Sequence, residues 1–285
     1  MLLKENLMGV QHLGIPVVNI TQAKSWYIKT LGFQLIYETV INSENGAIKV
    51  AFLKLEDIIL ELYQLPEKEL EDIKTRGHGH IDHFAINVFD IIQTLCEMIS
   101  RGALLDSSTP KGPIFIRHFW SKGISYVNLI GPNGEKVQLQ QRLDLKQFNK
   151  NSNIDGWSHL GIIVSNIENS KAFYKRFGFK EVMKAKIKEQ QSVNIIVVLE
   201  KNGFQIELIH PTNNTLEEFS LIKDGHIDHI SFNVKDVEKA FQELKKSGLN
   251  VIQDKPIFLP FWEKGMKYFN ILGPDGEKIE FSQKL

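Results

Sequence analysis

The stretch GHIDHFAINV, Gly79–Val88, returns almost unchanged as GHIDHISFNV, Gly225–Val234. Working outward, HLGIPVVNI from His12 returns as HLGIIVSNI from His159. FWSKGISYVNLIGPNGEKVQLQQ from Phe119 returns as FWEKGMKYFNILGPDGEKIEFSQ from Phe261. The spacing between copies is nearly constant, which marks a duplication. Between the copies lies LDLKQFNKNSNID, Leu143–Asp155, polar and without apolar periodicity, which reads as a linker. The reading divides the 285 residues into two domains, 8–143 and 154–285.

Each half divides again. In the last quarter HISFNV is a strand, and Asp236 can cap a helix with its apolar stripe at Val237, Ala240, Phe241 and Leu244. Gly248 stops that helix. NVIQDKP, YFNIL and KIEFSQ then read as strands, the last two joined by the turn Gly273-Pro274-Asp275-Gly276. Each quarter therefore reads βαβββ, and the fold class is α+β.

Composition narrows the function. Lys plus Arg and Asp plus Glu both number 34, so no basic excess points to nucleic acid or an anionic membrane. Hydrophobic residues make up 42%, enough for a packed core. The single cysteine, Cys96, excludes a disulfide framework and a Cys-ligated zinc site within one chain. No apolar run is long enough for a membrane helix, and Met1–Gly9 lacks the features of a signal peptide. The expectation is a soluble, reduced, cytoplasmic protein. Only Arg76, Arg101, Arg117, Arg142 and Arg176 offer forked recognition of anions.

Strand alternation sorts the chemistry. His12 alternates with Leu13, Glu61 lies between Leu60 and Leu62, His83 precedes Phe84, and Gln138 lies between Val137 and Leu139. The second half repeats this with His159, Glu207, His229 and Glu280. Taken singly, such residues read as a solvated strand face. Their joint recurrence gives them weight. Two imidazoles and two oxygen donors converging in a cup suit a divalent first-row metal such as Zn, Ni, Mn, Fe or Co. They would leave room for two substrate oxygens. His80 and His226 fall on the opposite strand face and read as structural or hydrogen-bonding; His78, His118 and His210 have no counterpart in the other half.

At these residues the chain resembles the vicinal oxygen chelate superfamily, also called the glyoxalase/bleomycin resistance/dioxygenase superfamily. The carriers are HLGI at His12 and His159, the helices WYIKTLGF and FYKRFGF, LEL and IEL around Glu61 and Glu207, DH at His83 and His229, and GPNGEKVQL and GPDGEKIEF. The resemblance spans nearly the whole chain. It implies tandem domains, each of two βαβββ units forming a curved mixed-sheet cup. It implies ligand sets His12, Glu61, His83, Gln138 and His159, Glu207, His229, Glu280. The second set resembles that of glyoxalase I (lactoylglutathione lyase), in which a metal-bound carboxylate abstracts a proton beside a carbonyl and the metal stabilises the ene-diolate. Glu280 and Glu207 are then the catalytic candidates. Gln138 can bind a metal but cannot act as a base. Glyoxalase I also builds its site across units, which here would join His12 and Glu61 to His229 and Glu280. It would leave His159 and Glu207 with His83 and Gln138. The preference of adjacent units for one another makes the sequential pairing the expectation.

The leading function is a metal-dependent lyase or isomerase acting on a small molecule with adjacent oxygens. An extradiol dioxygenase would use His159, His229 and Glu280 around Fe(II). A binding or resistance protein would use a pocket walled by Phe119, Trp120, Phe261 and Trp262. One chain supplies all four units, so a monomer or a homodimer is expected.

Overall fold

The computed structural model describes residues 1–145, 152–189 and 192–285, so part of the Leu143–Asp155 linker lies outside the described residues. Four units follow in order. The first is β1 (Leu7–Pro16), α1 (Ile20–Trp26), β2 (Gln34–Ser43), β3 (Gly46–Leu55) and β4 (Ile58–Gln64). A short helix, α2 (Leu70–Thr75), leads to β5 (Ile81–Val88), α3 (Ile91–Ser100), β6 (Leu104–Leu105), β7 (Ile114–Ile116), β8 (Ile124–Ile130) and β9 (Lys136–Arg142). The third unit is β10 (Ile154–Ile163), α4 (Ile167–Arg176), β11 (Lys180–Glu189), β12 (Ser192–Lys201) and β13 (Phe204–Pro211). Helix α5 (Leu216–Ser220) leads to β14 (His229–Val234), α6 (Val237–Lys246), β15 (Ile257–Leu259), β16 (Met266–Leu272) and β17 (Lys278–Lys284).

Local chemistry sets the boundaries. Asp236 caps α6 by accepting from the Lys239 amide, and Gly248 takes a φ of +75° just beyond it. Asp90 and Asn166 cap α3 and α4 in the same way. One expected strand is missing. NVIQDKP forms only an isolated bridge, Val251 to Ile271. The Gln253 side chain accepts the Asn270 amide there, and the short strand begins only after Pro256, which has no N–H to give a ladder.

Among the described residues the strands form two curled sheets. The first runs β15-β16-β17-β14-β1-β4-β3-β2, and the second runs β11-β12-β13-β10-β5-β9-β8-β6, with β7 also on β8. The first sheet thus joins the first and fourth units, through antiparallel β1 and β14. The second joins the second and third, through antiparallel β5 and β10.

This overturns the sequential pairing. Adjacent units do pack side by side, but the pair is the second and third, across the segment that reads as a boundary. Within each half the two units touch differently, by clasps between sheets. The Tyr27 hydroxyl donates to buried Glu135, and the Tyr174 hydroxyl donates to Glu277 at 2.8 Å. The same turns hold the opposite strand ends: Val18 donates to Asn133 at 3.0 Å and Ser165 to Asp275 at 2.9 Å. One apolar core lies behind both sheets, taking Leu13, Phe84, Leu160 and Ile230 from the strands, Leu95, Phe173 and Phe241 from the helices, and Tyr27 from the π-helical turn Tyr27–Leu31 that follows α1.

Candidate metal centres

The two concave faces each collect four of the singled-out side chains, in the cross-unit combination. On the first sheet β1 supplies His12, β4 Glu61, β14 His229 and β17 Glu280. The Nε2 atoms of His12 and His229 lie 3.1 Å apart. Glu61 Oε2 is 3.0 Å from His12 and 3.6 Å from His229, and the Glu280 oxygens are 3.6 and 3.8 Å from the same two nitrogens. All four residues are buried. On the second sheet β5 supplies His83, β9 Gln138, β10 His159 and β13 Glu207. His83 and His159 meet at 2.9 Å between Nε2 atoms, and Glu207 Oε2 is 3.8 Å from His159. Gln138 donates through Nε2 to Asn128 Oδ1 at 3.1 Å.

The second-half set expected from sequence, His159, Glu207, His229 and Glu280, is therefore not brought together. Neither is His12, Glu61, His83 and Gln138. The extradiol combination of His159, His229 and Glu280 is likewise split between the sheets. The two strands that would have closed each set are hydrogen-bonded into the other sheet.

Glycine makes the crossing possible. Gly14 pairs with His229 across β1 and β14, and a Cβ there would sit 2.0 Å from the His229 ring. Gly161 pairs with His83, and its Cβ would sit 2.2 Å from that ring. The glycine of each HLGI motif gives the partner unit's imidazole its place.

Each of the four imidazoles is also held from behind by the residue before it. Nδ1 of His12 meets Gln11, Nδ1 of His83 donates to Asp82 at 2.8 Å, Nδ1 of His229 donates to Asp228 at 3.0 Å, and Ser158 Oγ is 3.2 Å from Nδ1 of His159. Asp82 is fixed by Lys136, and Asp228 by Lys278 and Arg76. Burial would raise both aspartates, but the imidazoles and lysines hold them well below the usual carboxylate range. With Nδ1 engaged from behind, each Nε2 faces the centre of the cage.

That donor arrangement fits a divalent cation. Two inward lone pairs near 3 Å repel unless a proton or a cation lies between them. In the first cage the carboxylates add negative charge. Burial pushes Glu61 up, but His12 and His229 outweigh it and hold it at about 2. Burial raises Glu280, and the two imidazoles only partly offset that. His12, His229 and Glu280 offer ligand atoms within 4.8 Å of one another, as do His83, His159 and Glu207.

The walls differ. Over the first cage Tyr37 stacks on Trp262 at 4.3 Å, Phe52 lies edge-on to His12 at 5.6 Å, and Phe261 packs on Phe52 at 5.7 Å. Over the second cage lies a cavity of about 1200 Å³, with His83, Gln138 and Glu207 on its lining. The residues paired with the glutamates differ as well. Glu61 pairs with Phe52 and Phe52 with Tyr37, whereas Glu207 pairs with Val198 and Val198 with Met183.

Of the other histidines, His80 and His226 sit against the turns at Gly276 and Gly134, outside both cages. His210 stacks on Phe219, and His118 lies on the cavity lining. Sequence reasoning missed Asp82 and Asp228. The signal was the DH pair itself, an acid next to each imidazole. It also missed Tyr37 and Phe52, which carry no motif.

Sequence profiles of the Glyoxalase/Bleomycin resistance protein/Dioxygenase superfamily match residues 9–135 and 158–267. An uncharacterized protein of Bacillus subtilis, YwbC, is 32% identical over 133 residues, covering 44% of this chain and 95% of that protein. Glyoxalase I from Zea mays superposes with a TM-score of 0.72 at 18% identity, covering 98% of this chain and 94% of that one. A putative dioxygenase from Bacillus subtilis superposes with a TM-score of 0.63 at 14% identity, covering 97% and 85%. At such identities the likeness is one of fold. Among the described residues no helix is long and apolar enough to cross a membrane.

Proposed function

We propose a function from one premise: the chain belongs to the glyoxalase/bleomycin resistance protein/dioxygenase superfamily. Its first cup is a metal-dependent lyase or isomerase centre of glyoxalase type. The substrate is a small molecule with adjacent oxygens, and the reaction passes through an ene-diolate. The observation that carries this reading is the meeting of two inward imidazole nitrogens and two buried carboxylates on one concave face.

His12, Glu61, His229 and Glu280 would hold the ion, one of Zn, Ni, Mn, Fe or Co. Such an ion supplies a Lewis acid for the oxyanion that develops. Glu280 is the base. Burial raises its proton affinity, and it lies farther from both imidazoles than Glu61 lies from His12. The Ser231 hydroxyl donates to its Oε1 at 2.8 Å and fixes its rotamer. Glu280 takes a proton from the carbon beside the carbonyl and returns it to the neighbouring carbon. Glu61 stays a ligand, held by His12. Tyr37, Phe52, Phe261 and Trp262 exclude water from the proton in transit. Glu207 lies in the other cage with Gln138, whose amide cannot take a proton there. One chain completes both cages, so a monomer suffices.

The test is metal content and proton transfer together. Wild type and Glu280→Gln are loaded with each ion, and the hemithioacetal of glutathione and methylglyoxal is offered in deuterated water. Retained metal with lost isomerisation and lost isotope incorporation supports the assignment. Unchanged turnover in Glu280→Gln overturns it.

A second reading rests on the second cup. His83, His159 and Glu207 form a two-histidine, one-carboxylate group beneath an open cavity, a set that suits Fe(II) oxygenase chemistry. Oxygen uptake with catechols by the Fe(II)-loaded protein, lost in Glu207→Ala, would favour it.

A further inference from the structure

We propose that Asp106, acting through Ser108 and Asn128, fixes which end of the Gln138 amide faces the second cage. Gln138 is thereby an oxygen donor to a divalent cation held with His83, His159 and Glu207. The inference rests on the metal reading of that cage and adds to it a positioning residue, three hydrogen bonds away.

An amide has an accepting and a donating end of nearly equal shape, and only the oxygen can ligate a cation. A row of hydrogen bonds leads from Gln138 to an anion. Gln138 Nε2 donates to Asn128 Oδ1 at 3.1 Å, Asn128 Nδ2 donates to Ser108 Oγ at 2.9 Å, and Ser108 Oγ donates to Asp106 Oδ1 at 2.5 Å. An ionised carboxylate only accepts, so Ser108 gives its proton to Asp106. The Ser108 oxygen then accepts from Asn128, which turns Asn128 Oδ1 toward Gln138, and Gln138 answers with its nitrogen. Burial would raise Asp106, but the side-chain and backbone bonds from Ser108 outweigh it and hold the carboxyl below its usual range. The remaining atom, Gln138 Oε1, has no hydrogen-bond partner among the described residues, and Gln138 lines the cavity with His83 and Glu207.

The row is held in place by backbone. Asn128 and Gln138 are direct partners across β8 and β9. The Asp106 amide donates to the Asn128 carbonyl at 2.8 Å, and Thr109 Oγ1 accepts the Asn128 amide at 2.9 Å.

The first cup supplies the contrast. Asn270 stands opposite Glu280 as Asn128 stands opposite Gln138. The connection there is shorter, residues 252–256 against 106–113, and the buried Asn270 Oδ1 has no partner. Glu280 presents an oxygen whichever way it turns, so it needs no anchor. Of the two cups, the one whose donor is an amide has the aspartate.

The experiment uses the full chain and two readouts. Zinc(II) is titrated into protein whose glutamines carry carbon-13 at Cδ, with Gln138→Glu identifying the resonance. The Gln138 Cδ signal is expected to shift on binding while its side-chain N–H protons stay protected from exchange. An unshifted signal in protein that has filled the second cage overturns the proposal. Affinity is then read by competition with a chelator, the second cage being the class that Glu207→Ala abolishes. Asp106→Asn lets the row run either way and is expected to weaken that class about twofold. Asp106→Lys reverses the row and is expected to weaken it about tenfold, with the first cage unchanged in both variants. In the Gln138→Glu background both losses are expected to shrink below twofold, since a carboxylate has no nitrogen end. Losses of equal size in the two backgrounds overturn the proposal, because Asp106 then acts by charge or packing. Uptake of no second equivalent by wild type overturns the metal reading of the cage, and the proposal with it.

Discussion

The two cups share a scaffold and differ in what stands on it. Both bring two imidazoles nose to nose across an antiparallel pair of strands, and both fix those imidazoles through the preceding residue. Both place a glutamate on the equivalent strand. They part at one ligand position, Glu280 against Gln138, and at two wall positions, Phe52 against Val198 and Tyr37 against Met183. The scaffold sets where donors converge. The fourth donor and the wall around it are set by side chains that the backbone does not dictate.

The sharpest way to break the comparison is to make the cages alike. Glu280→Gln gives the first cup the second cup's amide, and turnover should fall by about 10²–10⁴ with the fold intact, read by steady-state kinetics and circular dichroism. A loss confined to substrate affinity would contradict Glu280 as base.

A pH scan probes what the two halves have in common, their clasps. Burial holds Glu277 up at about 7, and the Tyr174 hydroxyl offsets this only in part. The folded state therefore binds a proton that the unfolded chain releases near 4.5. Stability is full below about pH 4.5 and declines as pH rises toward 7, by up to about 3 kcal/mol. Glu277→Gln should flatten that decline in chemical denaturation measured across the window. An unchanged slope would locate the titrating group elsewhere; Glu135, also raised by burial, is the other candidate.

The glycines test the crossing of units. Gly14→Ala should cost about 1–3 kcal/mol and displace His229, while Gly161→Ala should do the same to His83. Metal titration of each variant should show loss at one cage only. Loss at both would mean that the cages are coupled rather than parallel.

The mildest change runs the comparison in reverse. Gln138→Glu completes a two-histidine, two-carboxylate set in the open cup, and its metal affinity should rise about tenfold by competition with a chelator. A fall would mean that Asn128, which accepts from Gln138, rejects the carboxylate.

Much of this was legible in the sequence. The repeat located four βαβββ units, strand alternation found the eight residues that reach the concave faces, and Asp236 and Gly248 marked helix ends. The pairing of units was not legible. Gly14 and Gly161 matter because of a ring that arrives from a distant unit, and alternation within one strand says nothing of what lies across it. The clasps were equally hidden, since Tyr27 and Glu135 lie far apart in sequence and each reads alone as an ordinary core or turn residue. NVIQDKP failed for a local reason: its apolar pair suggested a strand, but the Gln253 side chain takes the amide that a ladder would have used. The asymmetry of the walls could have been found by aligning the halves, where Tyr37 meets Met183 and Phe52 meets Val198.

The interleaving of units makes the halves of this chain poor building blocks. A cut between Leu145 and Ser152 would separate two fragments, each owning one imidazole and one further donor of either cage. Neither fragment could hold an ion at a four-donor centre by itself. Metal binding by a mixture of the two would depend on the product of their concentrations, as in an obligate heterodimer. A single copy of either half owns one imidazole of each centre and completes neither.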